Sequence, residues 1–453
     1  MVGARGRPAA PRLSGNSRDP SCPAGLRLLI VDYDFGELDF GDDSEPARAR
    51  RTGWLQAVQY GFHEGRLSEE YEKLWLEHVE ADGVVCRGAW LPADAFGAGP
   101  VPVATTSWFD KTLNVGREML PLRMITDVTT SAAHRRRGLV RRLMEDCLAD
   151  AAEAGLPLAA LTVSEATIYG RWGFGAATFA QEATLDTGPR FGLRDHTDPG
   201  RVEFFDPRDS WPMIRDHLDR LHATSRGSVG LPAFYEPFLT GAWNFREAGP
   251  DKQLRGVVHL DADEHVDGLV LYRQDGRDEQ NWRKVKVVAM LADHPTTRLS
   301  LWEFLGGIDL VRTVTWGLMP ADDPLRWALR DLNALKLGSN EEFLWVRVLD
   351  VPVALGARPW AADGEVVIEV TDAQGHAAGR WLVATAGGIA KVVPTDQPAE
   401  LALDAETLGT FLLGPVPVTT LHHAGRITGD ETAAARLGAM ADLAEPPYNL
   451  LGF

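Results

Sequence analysis

The chain has 453 residues, 45% of them hydrophobic and 24% charged, with a formal net charge of −18 and a pI near 5.1. That length exceeds what one hydrophobic core serves and predicts two to four domains; the acidic balance disfavours nucleic acid and favours cationic partners, including amines and Lys-rich peptides. No apolar stretch is long enough to cross a bilayer, and Cys22, Cys86 and Cys147, far apart and without CxxC spacing, read as reduced cytoplasmic thiols with no disulfide framework and no metal site.

Residues 1–25 carry Arg5, Arg7, Arg12 and Arg18 among Pro and Gly. Lacking the continuous apolar core of a secretory signal, they read as a disordered tail. A strand is expected at 26–35 and a helix at 50–66, with Trp54, Val58 and Phe62 on one face. Two strands at 83–92 and 101–109, a third at 119–128, a helix at 138–154 and a strand at 158–163 follow. Gly155 and Pro157 stop that helix. A last strand at 174–185 closes an α/β unit over 26–190.

The next stretch repeats the alternation: a strand at 201–207, a helix at 211–223, strands near 255–260, 267–273 and 283–291, a helix at 298–305 and a strand at 312–317. From about 342 the pattern turns to strand pairs broken at Asp363-Gly364, Gly375 and Gly387-Gly388, with helices at 405–413 and 431–444. The sequence ends in an apolar run, Leu450-Leu451-Gly452-Phe453.

Residues 124–177 carry the chemistry. A hydrophobic strand at 124–128 runs through a polar turn into Arg135-Arg136-Arg137, Gly138 and an amphipathic helix. Unpaired N–H groups at a helix start, the positive end of its dipole and a glycine with no side chain make an anion site. No GxGxxG follows the strand and no GxxxxGK[ST] lies near it. The arginine run alone could equally be a solvated basic patch. After the next strand come Ser164, Glu165 and a short helical turn carrying Tyr169.

Strand, arginine–glycine turn, helix, strand and tyrosine resemble the acetyl-CoA half of a GNAT-type N-acetyltransferase, and Arg135-x-x-Gly138-x-Val140 resembles its pyrophosphate motif. The unit at 191–341 has a GNAT-like layout without such a turn and reads as a degenerate scaffold. The unit at 342–453 resembles a sterol-carrier-protein-like α+β domain. Together with a terminal phenylalanine, this order resembles the Eis (enhanced intracellular survival) family, with the residue match concentrated in HRRRGLVRRLM and SEATIYGRWGFGAA.

The resemblance implies an α/β (α+β) fold and acetyl transfer from acetyl-CoA to a primary amine of an aminoglycoside, polyamine or lysine. The protein would be a cytoplasmic homohexamer without metal, nucleic acid or membrane. By the same resemblance, Val128, Thr129 and Thr130 would pair with the pantetheine arm. The amides of Arg136, Arg137, Gly138, Leu139, Val140 and Arg141 would cradle the pyrophosphate, and Ser164 and Glu165 would touch the cofactor near the thioester. Tyr169 would give a proton to the departing thiolate, and the Phe453 α-carboxylate would accept one from the amine. Phe62 and Glu64 would line the amine pocket.

Each assignment has a structural counterpart. Tyr169 beside Trp172 and Phe174 fits a core tyrosine, Ser164 fits a helix cap, and Glu64 fits a solvated surface. Arg141/Glu145 and Arg142/Asp146 fit i,i+4 surface pairs, and His134 reads as structural. A different function, lipid or sterol binding or acyl-CoA sensing with a vestigial acetyltransferase half, would show cofactor or lipid binding without turnover.

Overall fold

Three sheets organise the described residues, which are 32–163, 165, 167–244 and 248–453 of the computed structural model. The tail expected at 1–25, Cys22, most of the strand expected at 26–35, and Ser164 lie outside them. In the first sheet β1 (Asp34–Glu37), β2 (Val85–Trp90), β3 (Ala104–Asn114) and β4 (Met119–Thr130) run antiparallel in that order, and β5 (Leu158–Thr162) joins β4 in parallel.

Helix α1 (Glu45–Gly61) starts where the Ser44 hydroxyl accepts the Ala47 N–H at 3.4 Å, and it buries Trp54, Leu55 and Val58. It ends at Gly61, so Phe62 is a C-cap residue and 47% exposed; the expected Trp54–Val58–Phe62 face stops one turn early. A further helix, α2 (Glu69–Asp82), was not expected from the sequence. Ser68 caps it by accepting the Tyr71 N–H at 3.2 Å, and only Trp75 and Val79 are buried, Trp75 stacked on Trp54 at 5.7 Å. Helix α3 (Leu139–Glu153) packs on the opposite sheet face through Leu139, Leu143, Met144, Cys147, Leu148 and Ala151. This is the apolar stripe that the 3.6-residue period requires. Cys86 and Cys147 are unpaired and buried; burial holds both thiols up, Cys147 to about 12.

The strand expected at 174–185 is two strands in two sheets. β6 (Gly175–Ala176) stays in the first sheet, whereas β7 (Phe179–Asp186) enters the second. That sheet also holds β8 (Arg201–Phe205), β9 (Leu254–Leu260), β10 (Val266–Arg277), β11 (Arg283–Ala292), β12 (Val311–Met319) and β13 (Leu335–Glu342). β14 (Leu344–Val348) then crosses back and pairs antiparallel with β5, Leu344 opposite Thr162. Cuts at 190 and 341 follow chain order, but the two sheets trade strands across them. Helices α4 (Trp211–Thr224), α5 (Tyr235–Thr240), α6 (Pro295–Gly306) and α7 (Leu325–Ala328) complete this half.

The third sheet contains β15 (Gly364–Thr371), β16 (Gly379–Ala386), β17 (Ile389–Pro394), β18 (Leu401–Asp404) and β19 (Ile427–Gly429). It is accompanied by α8 (Val351–Ala357), α9 (Ala405–Leu413), α10 (Val418–His423) and α11 (Glu431–Ala441). Helix α9 sits directly on the first sheet because glycines face it. A Cβ on Gly175 would lie 1.9 Å from the Glu406 carbonyl oxygen, and one on Gly409 would lie 2.1 Å from that of Val346. Arg347 of β14 and Asp372 beyond β15 form an ion pair at 2.5 Å with side chains 0% and 3% exposed, tying the same two bodies together. Gly175→Ala is therefore expected to cost about 1–3 kcal/mol by overpacking. An unchanged thermal melt would show that α9 yields freely.

Candidate active site

One extra residue in β4 creates the site. Thr105 pairs with Thr129 and Ser107 with Thr126, so β4 spends one residue more than β3 over this stretch, and Asp127 takes a positive φ of 54°. A bulge of this kind bends its strand and re-aims a side chain. β4 pairs with β5 only through Leu122, Arg123 and Met124. Beyond them the two parallel strands part, and Val128, Thr129 and Thr130 lie on the diverging arm. Thr129 stays tied to β3 by a 2.6 Å hydroxyl contact with Thr105.

The diverging arm leads into the arginine turn. Arg136 has φ 64° and Gly138, the N-cap of α3, has φ 79°. No side chain caps the helix and its first turn holds no acid. A Cβ built on Gly138 meets nothing within 4 Å, so the turn is open at the α3 start. Arg135, Arg136, Arg137 and Arg141 are exposed. His134 is a structural anchor: its Nδ1 lies 2.8 Å from the Tyr33 hydroxyl, which also accepts from Arg137 at 2.7 Å. The expected Arg142/Asp146 pair is replaced by other partners, since Asp146 faces Arg87 at 3.4 Å and Arg142 lies over the Phe35 ring at 4.1 Å.

Past β5, the short helical turn expected around Tyr169 is a tight 3-10 turn (Gly170–Trp172) that Tyr169 begins. Tyr169 is 5% exposed and packs against Trp172 and Phe174, with ring centroids 6.2 and 6.4 Å away. Burial, helped by the exposed Glu165, pushes its phenol up to about 12. Among the described residues the hydroxyl has no hydrogen-bond partner, yet it is not sealed from solvent. Helix α9 backs this turn, for a Cβ on Gly170 would meet the Glu406 carboxylate.

The end of the sequence arrives at the same strand end. The Phe453 N–H donates to Thr162 Oγ1 at 2.9 Å, and that hydroxyl donates back to the Phe453 oxygen. The Gly452 N–H donates to the Tyr235 oxygen at 2.6 Å, whose hydroxyl donates to the Gly452 carbonyl at 2.9 Å. Leu450 and Leu451 are buried, and the Phe453 ring meets Phe109 edge-on at 6.4 Å. Thr162, Tyr235 and Phe109 carry no signal in the sequence, because each comes from a remote segment.

The end of α1, where the α1–α2 connection begins, lies against the bulge: a Cβ on Gly61 would collide with the Thr129 side chain at 2.5 Å. Phe62 and Glu64 on this connection are both exposed. Burial raises the Tyr71 phenol, with smaller contributions from Asp127 and then Glu64. Aromatic rings continue the wall, His78 meeting Phe109 at 5.4 Å and Phe234 at 5.1 Å. In the second half, the turn before α6 has Pro295 at its start and Asp293 beside it, facing Arg220 at 3.3 Å. A missing N–H and a carboxylate make that turn a poor anion site. Among the described residues no group of three His, Cys, Asp or Glu is placed to hold a metal, and no helix is long and apolar enough to cross a membrane.

The parted β4 and β5, the open glycine turn and the α3 start define a class. The acetyltransferase (GNAT) domain matches residues 47–177 and again 240–348, and the sterol carrier protein domain matches 351–449. The chain is a GNAT N-acetyltransferase with two GNAT domains followed by a sterol-carrier-protein domain. It is 34% identical over 400 residues to an uncharacterised N-acetyltransferase of Streptomyces avermitilis, spanning 86% of this chain and 93% of that one. It is 31% identical over 386 residues to the N-acetyltransferase Eis of Mycobacterium tuberculosis, spanning 82% and 90%. Eis1 of Mycobacterium abscessus shares the fold at a TM-score of 0.76 and 24% identity, covering 93% of this chain and all of that one. The chain belongs to the Eis family of N-acetyltransferases.

Proposed function

We propose that the enzyme transfers acetyl from acetyl-CoA to a primary amine of a cationic substrate, of the aminoglycoside, polyamine or lysine type. The observation that carries this reading is the parting of β4 and β5: the β4 arm runs into the uncapped α3 start, and the end of β5 holds Phe453 through Thr162 and is followed in the chain by the Tyr169 turn. Val128, Thr129 and Thr130 would offer backbone to the pantetheine arm. The amides of residues 136–141 would take the pyrophosphate, with Arg136, Arg137 and Arg141 supplying backbone and charge. Ser164 and Glu165 would lie near the thioester.

The amine attacks the thioester carbonyl directly. Its C–N bond forms as the C–S bond breaks, CoA leaves as the thiolate, and Tyr169 protonates that sulfur. The proton leaving the amine passes to the Phe453 carboxylate. Phe62 and Glu64 would border the amine. By the family resemblance we further propose a cytoplasmic homohexamer, which sedimentation would test.

A thiol-release assay with acetyl-CoA and a panel of amines tests the function; no CoA release with any amine overturns it. Acetyl-CoA should bind one site per chain by calorimetry. Gly138→Val should weaken that binding about tenfold or more, because a non-glycine residue at positive φ is strained by about 1–2 kcal/mol and its side chain would stand in the anion approach. Two equal sites per chain would contradict a silent second domain.

A further inference from the structure

Asp127 has no role in the reaction as derived above, yet its surroundings are those of a binding group. The bulge turns it toward the α1/α2 face of the sheet, where Ser107 Oγ donates to Oδ2 at 2.6 Å. Its other carboxylate oxygen is neither hydrogen-bonded nor sealed from solvent, and among the described residues no cation pairs with it. The well-buried acid nearby, Asp82, has partners: it holds Lys111 and accepts the Ala233 N–H at 2.7 Å. Burial holds the Asp127 carboxyl above the usual carboxylate range, against the pull of Ser107 and nearby His78. A carboxylate in such a place is stabilised by an incoming cation.

The same face carries the aromatic wall. His78 is near Asp127 and meets Phe109 edge-on, and Phe109 meets Phe453. Tyr71 lies within electrostatic range of Asp127, and Glu64 within range of Tyr71. Aromatic rings beside an unpaired carboxylate suit an ammonium group. An amine that attacks the thioester is neutral when it does so, and a fixed carboxylate then gains nothing from it. Asp127 gains only from a group that keeps its charge throughout.

We infer that Asp127 is the specificity-determining carboxylate that holds the second, non-reacting ammonium group of a substrate with two or more cationic centres. This rests on the acetyltransferase reading. A diamine would place one nitrogen at the thioester and leave the other on Asp127.

Asp127→Asn tests it. Asn is isosteric, still accepts from Ser107, and tolerates the positive φ as Asp does. For a linear diamine the variant should raise KM roughly ten- to a hundredfold, the loss expected for a hydrogen bond to a charged group. For a monoamine of equal length KM should change little, and kcat should hold for both. Calorimetry of the diamine alone should show the same loss of affinity. Ser107→Ala, which keeps the charge, should retain the preference for the diamine and so guards against a folding artefact. Equal KM for the diamine in wild type and Asp127→Asn would overturn the subsite. A kcat collapse shared by both amines would also overturn it, by making Asp127 a proton acceptor. Absence of turnover in the wild type with any amine would instead overturn the acetyltransferase reading, while the calorimetric comparison would still judge Asp127.

Discussion

Tyr169→Phe is expected to lower kcat about 10²- to 10⁴-fold, the usual contribution of a general acid, while the acetyl-CoA dissociation constant stays within about twofold of wild type by the same reasoning. The ring keeps its contacts with Trp172 and Phe174, so packing is preserved. The lost hydroxyl orphans no described residue, because none is bonded to it. A phenol held at about 12 is protonated at any pH near neutral, which suits a donor and excludes a base. Steady-state kinetics paired with calorimetry checks both halves of the expectation. Wild-type kcat in the variant would make Tyr169 a core residue only.

How far the sequence could be read depends on whether a signal is local. The α3 helix and its glycine turn were legible because the apolar stripe from Leu139 to Ala151 and the positive φ at Gly138 are both written into neighbouring residues. Helix α2 was not. Its stripe of Tyr71, Leu74, Trp75 and Val79 is set among six acids and a lysine, and only Trp75 and Val79 are buried. The division of 174–185 between two sheets was invisible for another reason. Alternation runs on through Ala177 and Thr178, and a two-residue period says which face is buried but not which sheet receives the strand. Asp127 shows the limit most sharply. A polar residue in a strand suggests a solvent face, and the extra residue that turns it inward leaves no mark in composition. Its neighbours Val128, Thr129 and Thr130 could be named only through the family resemblance.

The apolar run Leu450–Phe453 was legible in the sequence, but its partners were not, and they determine what a change there should do. Extending the chain past Phe453 is expected to lower amine acetylation at least roughly a hundredfold, the low end of losing a proton-transfer group, without lowering the melting temperature. The reason is local. Thr162 and Tyr235 grip the backbone of Phe453 and Gly452, and Leu450 and Leu451 are buried, so the tail stays seated. An added residue converts the carboxylate into a neutral amide and places bulk at the end of β5, beside Phe109. Deleting Phe453 instead leaves a carboxylate on Gly452 but removes the ring and the Thr162 contacts, and should cost activity to a similar degree. Thr162→Val separates the two causes: it keeps ring and charge, loses both hydrogen bonds, and should fall between wild type and deletion. Comparing an N-terminal tag, a C-terminal tag, the deletion and Thr162→Val for melting and acetylation reads all of this at once. Equal activity across the four would remove the terminal carboxylate from the reaction and leave the docked tail as packing alone.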